Sequence, residues 1–292
     1  MNTLKNEFIE IEVADHGAEL QSLRKNGKEY LWQGDARYWG RRSPVLFPMV
    51  GRVWGDVYRH NGRKFELGQH GFARDMDFTL ISRTDSSLTY RLRSNESTLQ
   101  LYPFDFTLDI TYRIDGSTLA VSWSVTNDST EVMPFQIGAH PAFMIPDFDA
   151  GAATRAWFDF DSTAPLTYIS PAEKGCVSLQ PHTLHYGNGN PMPIELHSFD
   201  CDTYIFQNSQ LKRVSLLYRD KSPYLTVGFT APLVALWSPT ATKPDCPFVC
   251  IEPWYGRCDE VGYNGEFADR DVMNHLVPGD VFKASYTITI DE

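Results

Sequence analysis

Apolar and polar residues alternate every second position along most of the chain, and this pattern constrains the fold most strongly. From Phe106 to Ile114 every second residue is apolar, and the same period resumes from Leu119 to Val125. The two runs flank Asp115-Gly116, a pair that tolerates the positive φ of a tight turn, so they predict a β-hairpin. Alternate residues of a strand face opposite sides of its sheet, so we expect sheets with one buried face.

Further strand-like runs extend from the beginning to the end of the sequence, at 8–13, 88–92, 214–218, 224–229 and 285–290. Helical spacing of apolar residues is hard to find, and only Phe267 to Leu276 predicts a short helix. Gly and Pro, 20 and 18 residues, do not collect into a linker. We therefore predict an all-β fold, one large antiparallel β-sandwich domain over residues 1–292, whose loops build a site on one face.

The charge balance excludes two classes of partner. Lys and Arg total 26 against 37 Asp and Glu, a formal net charge of −11. Such an acidic chain lacks the basic stripe that displaces counterions from nucleic acid, and anionic membranes would repel it. We therefore expect neither a nucleic acid nor a membrane as partner.

The N-terminal segment and the cysteines favour a cytoplasmic location. Residues 1–20 contain five acidic side chains and no apolar region typical of a signal peptide. No stretch approaches the ~20 apolar residues of a membrane span. The five cysteines, an odd number in a chain without a secretion signal, favour free thiols over a disulfide framework.

Two groups of possible metal ligands have spacings that fit no common metal motif. His182 and His185, with His197 downstream, lie in a segment rich in Pro, Gly and Asn, where histidines are usually solvated. Three cysteines without a fourth Cys or His are better interpreted as buried thiols: Cys246, Cys250 and Cys258. Gly-rich nucleotide-binding motifs do not occur in the sequence. We predict no metal and no cofactor.

Four segments contain residues that a strand sandwich does not need: 43–52, 69–75, 136–143 and 250–256. In the last of them Glu252 lies between Ile251 and Pro253, so partial desolvation should raise its pKa from ~4.3 towards the range of a general base. An edge-strand glutamate pointing at water is the alternative. The other segments have structural alternatives too: a core histidine for His140, structural hydrogen-bond donors for His70 and Arg52, and a surface ion pair for Arg74 with Asp75.

Taken in order, these segments resemble those of the aldose 1-epimerase (galactose mutarotase) superfamily, most closely its short bacterial mutarotase-like branch. The resemblance extends from 17–23 (GAELQSL) and 30–35 (YLWQGD) to 236–239 (LWSP) and 250–254 (CIEPW). It implies a galactose mutarotase-like β-supersandwich that binds a monosaccharide without a cofactor. In that family a glutamate acts as base on the anomeric hydroxyl while a histidine protonates the ring oxygen, and the ring opens and recloses to either anomer.

Matching these motifs assigns roles to residues of this sequence. Glu252 takes the role of the base and His140 that of the acid, and a histidine pKa of ~6.5 would suit proton delivery near neutral pH. The expected substrate-binding residues are Arg52, His70, Asp202, Arg74 and Trp237. Asp200, two residues before Asp202, is an alternative to it.

Three functions remain open at this point. The first is an aldose 1-epimerase that interconverts the α and β anomers of a free hexose. The second is a hexose-6-phosphate 1-epimerase, which needs two or more arginines converging on the pocket. The candidate arginines are Arg37, Arg41, Arg42 and Arg74. For these four we favour the interpretation that they are solvated or pair with carboxylates. The third is a non-catalytic carbohydrate-binding protein on the same scaffold, which the acid–base pair disfavours. The expected partner is a monosaccharide, with the chain as a monomer or homodimer.

Overall fold

The computed structural model describes residues 1–185 and 191–292, and antiparallel strands dominate it. The first strands are β1 (Asn2–Lys5), β2 (Glu10–Val13), β3 (Leu20–Lys25), β4 (Lys28–Glu29), β5 (Val45–Leu46), β6 (Val57–His60), β7 (Arg63–Glu66), β8 (Thr79–Arg83), β9 (Ser87–Arg93), β10 (Phe106–Asp115), β11 (Thr118–Asn127), β12 (Met133–Phe135), β13 (Ile137–Ala139) and β14 (Ala142–Met144). There follow β15 (Ala156–Phe160), β16 (Leu166–Ile169), β17 (Pro171–Glu173), β18 (Cys176–Val177), β19 (His182–Leu184), β20 (Met192–Ile194), β21 (Thr203–Phe206), β22 (Arg213–Leu217), β23 (Pro223–Phe229), β24 (Leu233–Trp237), β25 (Phe248–Tyr255), β26 (Asn274–Leu276) and β27 (Val281–Ile290).

The larger sheet has nine strands in the order β20-β15-β22-β23-β27-β11-β10-β9-β8. Its longest hairpin, β10–β11, is the one that the alternation predicts, and its register runs from Phe106 opposite Asn127 to Asp115 opposite Thr118. Gly116, with φ 54°, lies in the two-residue turn. The strands expected from the other alternating runs are also confirmed, within one to four residues at their ends.

The second large sheet carries the candidate site. Its order is β19-β16-β21-β24-β25-β13-β5, and β14 also pairs with β25. Val249 and Ile251 of β25 belong to the same apolar cluster as Leu108 and Ile110 of β10, so the two sheets pack face to face. Alternation along β25 directs Cys250, Glu252 and Trp254 to the other face of this sheet. The predicted all-β antiparallel sandwich is confirmed.

Smaller sheets complete the fold: β1-β2-β3-β4 and the pairs β6–β7, β12–β26 and β17–β18. The helical elements are short, namely α1 (Glu96–Leu101) and 3₁₀ turns at Trp54–Asp56, Ala73–Asp75, Pro239–Ala241 and Phe267–Asp269. Among the described residues, no helix is long and apolar enough to cross a membrane.

The short helix expected from Phe267 to Leu276 is wrong. The segment forms one 3₁₀ turn and then strand β26, because its two buried ends pack in different places. Phe267 contacts the ring of Tyr58, whereas Leu276 pairs with Met133 of β12. Between them Arg270 is extended (φ −66°, ψ 145°), and its guanidinium binds partners outside the segment.

Candidate active site

Glu252 lies in the middle of β25, an inner strand of the second sheet. On one side it is opposite Ala235 of β24, and on the other side β25 pairs with β13 and β14. The residue is 1% exposed, so the alternative of an edge-strand glutamate pointing at water is wrong. Burial raises the pKa of the carboxyl well above its usual range.

An interruption between two short strands brings His140 to Glu252. β13 and β14 both pair with β25, and His140 and Pro141 lie in the break between them. The His140 N–H donates to the carbonyl of Pro44 at 3.1 Å. On the side-chain side, Nε2 lies 3.3 Å from Oε2 of Glu252. The residue pair that the sequence suggested for acid–base chemistry is thus in contact.

Both members of this pair keep polar atoms unsatisfied. Within the described part of the chain, His140 Nδ1 and Glu252 Oε2 are buried and have no hydrogen-bond partner. Buried polar atoms in folded proteins nearly always have one. The hydrogen-bonding capacity of these two atoms is therefore not satisfied by the described part of the chain.

Both residues line a cavity of about 370 Å³, within the range of small-molecule sites. Six of the seven residues suggested by the sequence line it: His70, Arg74, His140, Asp202, Trp237 and Glu252. Other lining residues include Trp39, Arg41, Gln69 and Trp254.

Arg52 lies beside the cavity, outside the set of described residues that line it. Its guanidinium donates to Asp56 at 3.2 Å and to Gln69 Oε1 at 3.5 Å. Gln69 does line the cavity, so Arg52 is one side chain away from the enclosed space. Its role in binding a substrate remains a prediction.

His70 is held as a neutral hydrogen-bond donor. Its Nδ1 accepts from the Gly51 N–H at 3.0 Å, which leaves the ring proton on Nε2. Burial, followed by the positive charges nearby, lowers its pKa well below the usual value. A sharp reversal of the chain at His70 and Gly71 (φ 67° and 69°) allows this placement. Only glycine fits after the histidine, because a Cβ there would collide with the carbonyl of Phe47.

Two of the four candidate arginines converge on the cavity. Arg41 donates to Asp75 at 2.7 Å, and Arg74 donates to the carbonyl of Gln69 at 2.6 Å. The Nε of Arg74 is buried without a hydrogen bond to the described residues but lies 3.7 Å from Asp75 Oδ2, so the ion pair of Arg74 with Asp75 that the sequence suggested is present. Burial and the charge of Arg41 lower the pKa of Arg74 to about 10. The side chains of the other two bind elsewhere: Arg37 to Asp35, and Arg42 to Gln21.

Asp202 and Trp237 form one unit at the cavity. The indole Nε1–H of Trp237 donates to Asp202 Oδ1 at 2.8 Å. Asp200, the alternative to Asp202, instead contacts His197 at 3.0 Å and is exposed. The geometry therefore favours Asp202 as the aspartate that faces a ligand.

Burial acts in opposite directions on the two acid–base candidates. It raises the pKa of Glu252, and together with the charges of Arg74 and Arg41 it lowers the pKa of His140 to about 3. Both shifts favour the neutral forms, a carboxylic acid and an imidazole, so burial favours placing a proton shared by the pair on the carboxyl. This differs from the ordinary histidine pKa expected from the sequence, because His140 is almost fully enclosed.

A third group lies close to the pair. The Sγ of Cys250 and the ligand atoms of His140 and Glu252 lie within 4.8 Å of one another. Cys250 belongs to an apolar cluster with Trp32 and Phe248, and burial raises the pKa of its thiol well above the usual value. Metals bind the thiolate, so this environment disfavours Cys250 as a ligand, and the absence of a metal stays a prediction.

Several cavity residues were not predicted from the sequence, among them Trp39 and Gln69. Gln69 directly precedes His70 in a segment already singled out, so its position was a usable signal. Trp39 lies in the irregular connection between β4 and β5, where periodicity offers no indication of which side chain faces a site.

Comparisons with known proteins bear on the family and the fold. The family model described as aldose 1-epimerase matches residues 1–261. The chain is similar to protein LacX (chromosomal) of Lactococcus lactis subsp. lactis, with 32% identity and 98% of each chain covered. A galactose mutarotase related enzyme from Lactobacillus acidophilus superposes with a TM-score of 0.92 at 32% identity, covering 100% of this chain and 97% of that one. A galactose mutarotase-like protein from Lactobacillus casei ATCC 334 gives 0.93 at 29% identity, covering 99% of each.

Proposed function

Because the chain belongs to the aldose 1-epimerase family, we propose that it interconverts the α and β anomers of a hexose at the Glu252–His140 pair. One observation carries the proposal: a buried carboxyl and a buried imidazole lie 3.3 Å apart, and both residues line the cavity. A protein that only binds a sugar has no need for such a pair.

The reaction needs one proton removed and one delivered. Ionised Glu252 takes the proton of the anomeric hydroxyl, the bond from C1 to the ring oxygen breaks, and its electron pair stays on that oxygen, which takes a proton from protonated His140. The product is the open-chain aldehyde. After rotation about C1–C2, the C5 hydroxyl attacks the other face of the carbonyl. His140 then recovers its proton, and the carbonyl oxygen recovers one from Glu252.

The pair carries zero net charge throughout this cycle. Before ring opening it consists of a carboxylate and an imidazolium, and afterwards of a carboxylic acid and an imidazole. The second arrangement is the one that burial favours. Since no net charge is ever buried, the enclosed site avoids the large cost of an uncompensated ion. Substrate oxygens that hydrogen-bond to the pair move the proton towards His140.

Exchange NMR tests the proposal by measuring anomer interconversion of glucose, galactose and glucose 6-phosphate. We expect an acceleration over the spontaneous rate that is proportional to protein concentration for at least one of them. No acceleration for any of the three, with a sugar bound in a separate titration, would instead favour a carbohydrate-binding protein.

The pH dependence of kcat/KM should report the shared proton. Removing it from the pair abolishes the acid, so activity falls as pH rises through the pair's upper pKa. Because burial raises the pKa of Glu252, we expect this fall well above the pH of ~6.5 at which an ordinary histidine loses its proton. Below neutrality activity should persist, since the pKa of His140 is lowered to about 3. A profile whose fall is centred near pH ~6.5, as for an ordinary histidine, would contradict this assignment.

A second candidate function, epimerisation of a hexose 6-phosphate, is favoured by the two arginines at the cavity. Arg41 and Arg74 approach the same carboxylate, Asp75, with contacts of 2.7 Å and 3.7 Å, and the charge of Arg41 still lowers the pKa of Arg74. Two guanidinium groups share this one carboxylate, so a phosphate in the cavity would add negative charge beside them and accept charge-assisted hydrogen bonds.

Replacing Arg74 by Gln tests whether the substrate is a hexose 6-phosphate or a free hexose. If a phosphate binds there, kcat/KM for glucose 6-phosphate should fall about 10- to 100-fold, the effect of losing one hydrogen bond to a charged group, and more than it falls for glucose. Arg37→Gln, which alters an exposed arginine paired with Asp35, is the control. Equal losses on both sugars would remove the phosphate from this position.

A further inference from the structure

Trp39 has no role in any motif discussed above, yet its ring lies directly on His140. The two rings stack with centroids 4.7 Å apart and an interplanar angle of 27°. Trp39 also lines the cavity. Trp39 therefore contacts His140 directly, in addition to forming part of the cavity wall.

The orientation of the His140 ring depends on aromatic contacts. In the described structure its Nδ1 has no hydrogen-bond partner, although catalytic histidines are commonly oriented through their second nitrogen. The rings of Trp237 and His70 approach it edge-on, at 5.6 Å and 5.5 Å. Trp39 supplies the stacked face that fixes the plane in which Nε2 points to Glu252.

Trp39 is itself held firmly. The backbone carbonyl of Trp39 accepts the indole N–H of Trp32 at 2.8 Å. The backbone N–H of Trp39 donates to the carbonyl of Asp35 at 3.0 Å. Its ring contacts Trp237 edge-on at 5.7 Å and Phe248 at 6.0 Å. Because Trp39 is held in place, its ring can restrict the orientation of the His140 ring on which it stacks.

The stacked indole also has an electrostatic effect. During ring opening His140 must carry a positive charge, which the nearby Arg74 and Arg41 oppose. The negative face of an indole attracts a cation, most strongly when water is excluded. In the contacts described for His140, Glu252 is the one carboxylate near the imidazolium. The indole face of Trp39 is a second favourable partner for its positive charge.

We propose that Trp39 is a positioning residue, which holds the His140 ring in line with Glu252 and stabilises its protonated form through the indole face. The inference rests on the proposed epimerase function and adds a residue to it.

The test compares Trp39→Leu and Trp39→Phe with the wild-type protein by exchange NMR over a range of sugar concentrations. We expect Trp39→Leu to lower kcat about tenfold or more while KM changes less than threefold. Trp39→Phe, which keeps an aromatic face, should recover most of kcat. Trp157→Leu, which removes a tryptophan from β15 on the other sheet, is the control and should behave as wild type.

Other outcomes overturn the inference. A kcat of Trp39→Leu within twofold of wild type would exclude a positioning role. A raised KM with unchanged kcat would make Trp39 a sugar contact only, and equal losses in Leu and Phe variants would exclude the aromatic face. If Trp39→Leu fails to fold by circular dichroism, Trp39→Met replaces it in the comparison with Phe. A wild-type protein without activity would refute the proposed function instead, so the two failures are distinguishable.

Discussion

Replacing Glu252 by Gln is expected to remove nearly all acceleration of anomer interconversion, a loss of about 10²- to 10⁴-fold in kcat, the usual contribution of a general acid–base group. Glutamine has the size of the glutamate but neither releases nor accepts a proton near neutral pH. Exchange NMR on the best sugar substrate measures the loss directly.

The same substitution should leave the fold nearly unchanged. Burial raises the pKa of Glu252 and so disfavours its ionised form, and the variant places a neutral group of similar shape in the same surroundings. An uncharged replacement leaves no unpaired ion behind. Unfolded wild-type protein gains free energy by ionising this carboxyl near neutral pH, and glutamine does not, so we expect a melting temperature equal to or above that of wild type, and sugar affinity within a few fold.

A control distinguishes this outcome from general damage. Glu195→Gln alters an exposed glutamate outside the cavity and should retain full activity. A Glu252→Gln protein with a rate within threefold of wild type would refute the assignment of the base, and another cavity group would have to remove the anomeric proton.

The sequence predicted the parts of the fold that depend on local pattern. The β10–β11 hairpin follows from alternation and a turn-forming pair, both of which are properties of adjacent residues. The segment from Phe267 to Leu276 failed because its conformation is decided by distant partners: Tyr58 for one end and Met133 for the other. Apolar spacing does not reveal such partners.

In the candidate site, too, features set by adjacent residues were predictable from the sequence, whereas those set by distant residues were not. The apolar neighbours of Glu252 predicted its desolvation, since they are adjacent in the chain. The contact with His140 depends on the register of β13 and β14 against β25, in which Gly138 lies opposite Trp254. A Cβ on Gly138 would lie 2.7 Å from the Trp254 ring, so this close pairing requires the glycine. Trp39 reaches the cavity from a connection without periodicity, and only tertiary structure reveals it.

Replacing Arg270 by Ala should destabilise the protein strongly while leaving the acid–base pair intact. Arg270 and Asp259 form an ion pair whose side chains are 3% and 5% exposed. The guanidinium also donates to the carbonyl of Arg257 at 3.0 Å. Removing one partner of a buried pair leaves an uncompensated charge and costs about 3–5 kcal/mol. We expect the melting temperature to fall by about 10 °C, measured by calorimetry.

The remaining charge explains why the loss should be this large. Oδ2 of Asp259 accepts the backbone N–H of Trp54 at 2.7 Å. The backbone N–H of Asp259 donates to the carbonyl of Arg52 at 2.9 Å. It is therefore held in place and does not turn towards water when Arg270 is removed. Arg219→Ala, which breaks an exposed pair with Asp149, should change stability by at most about 1 kcal/mol. Equal melting temperatures for the two variants would mean that water reaches Asp259, and the pair would then contribute no more than a surface one.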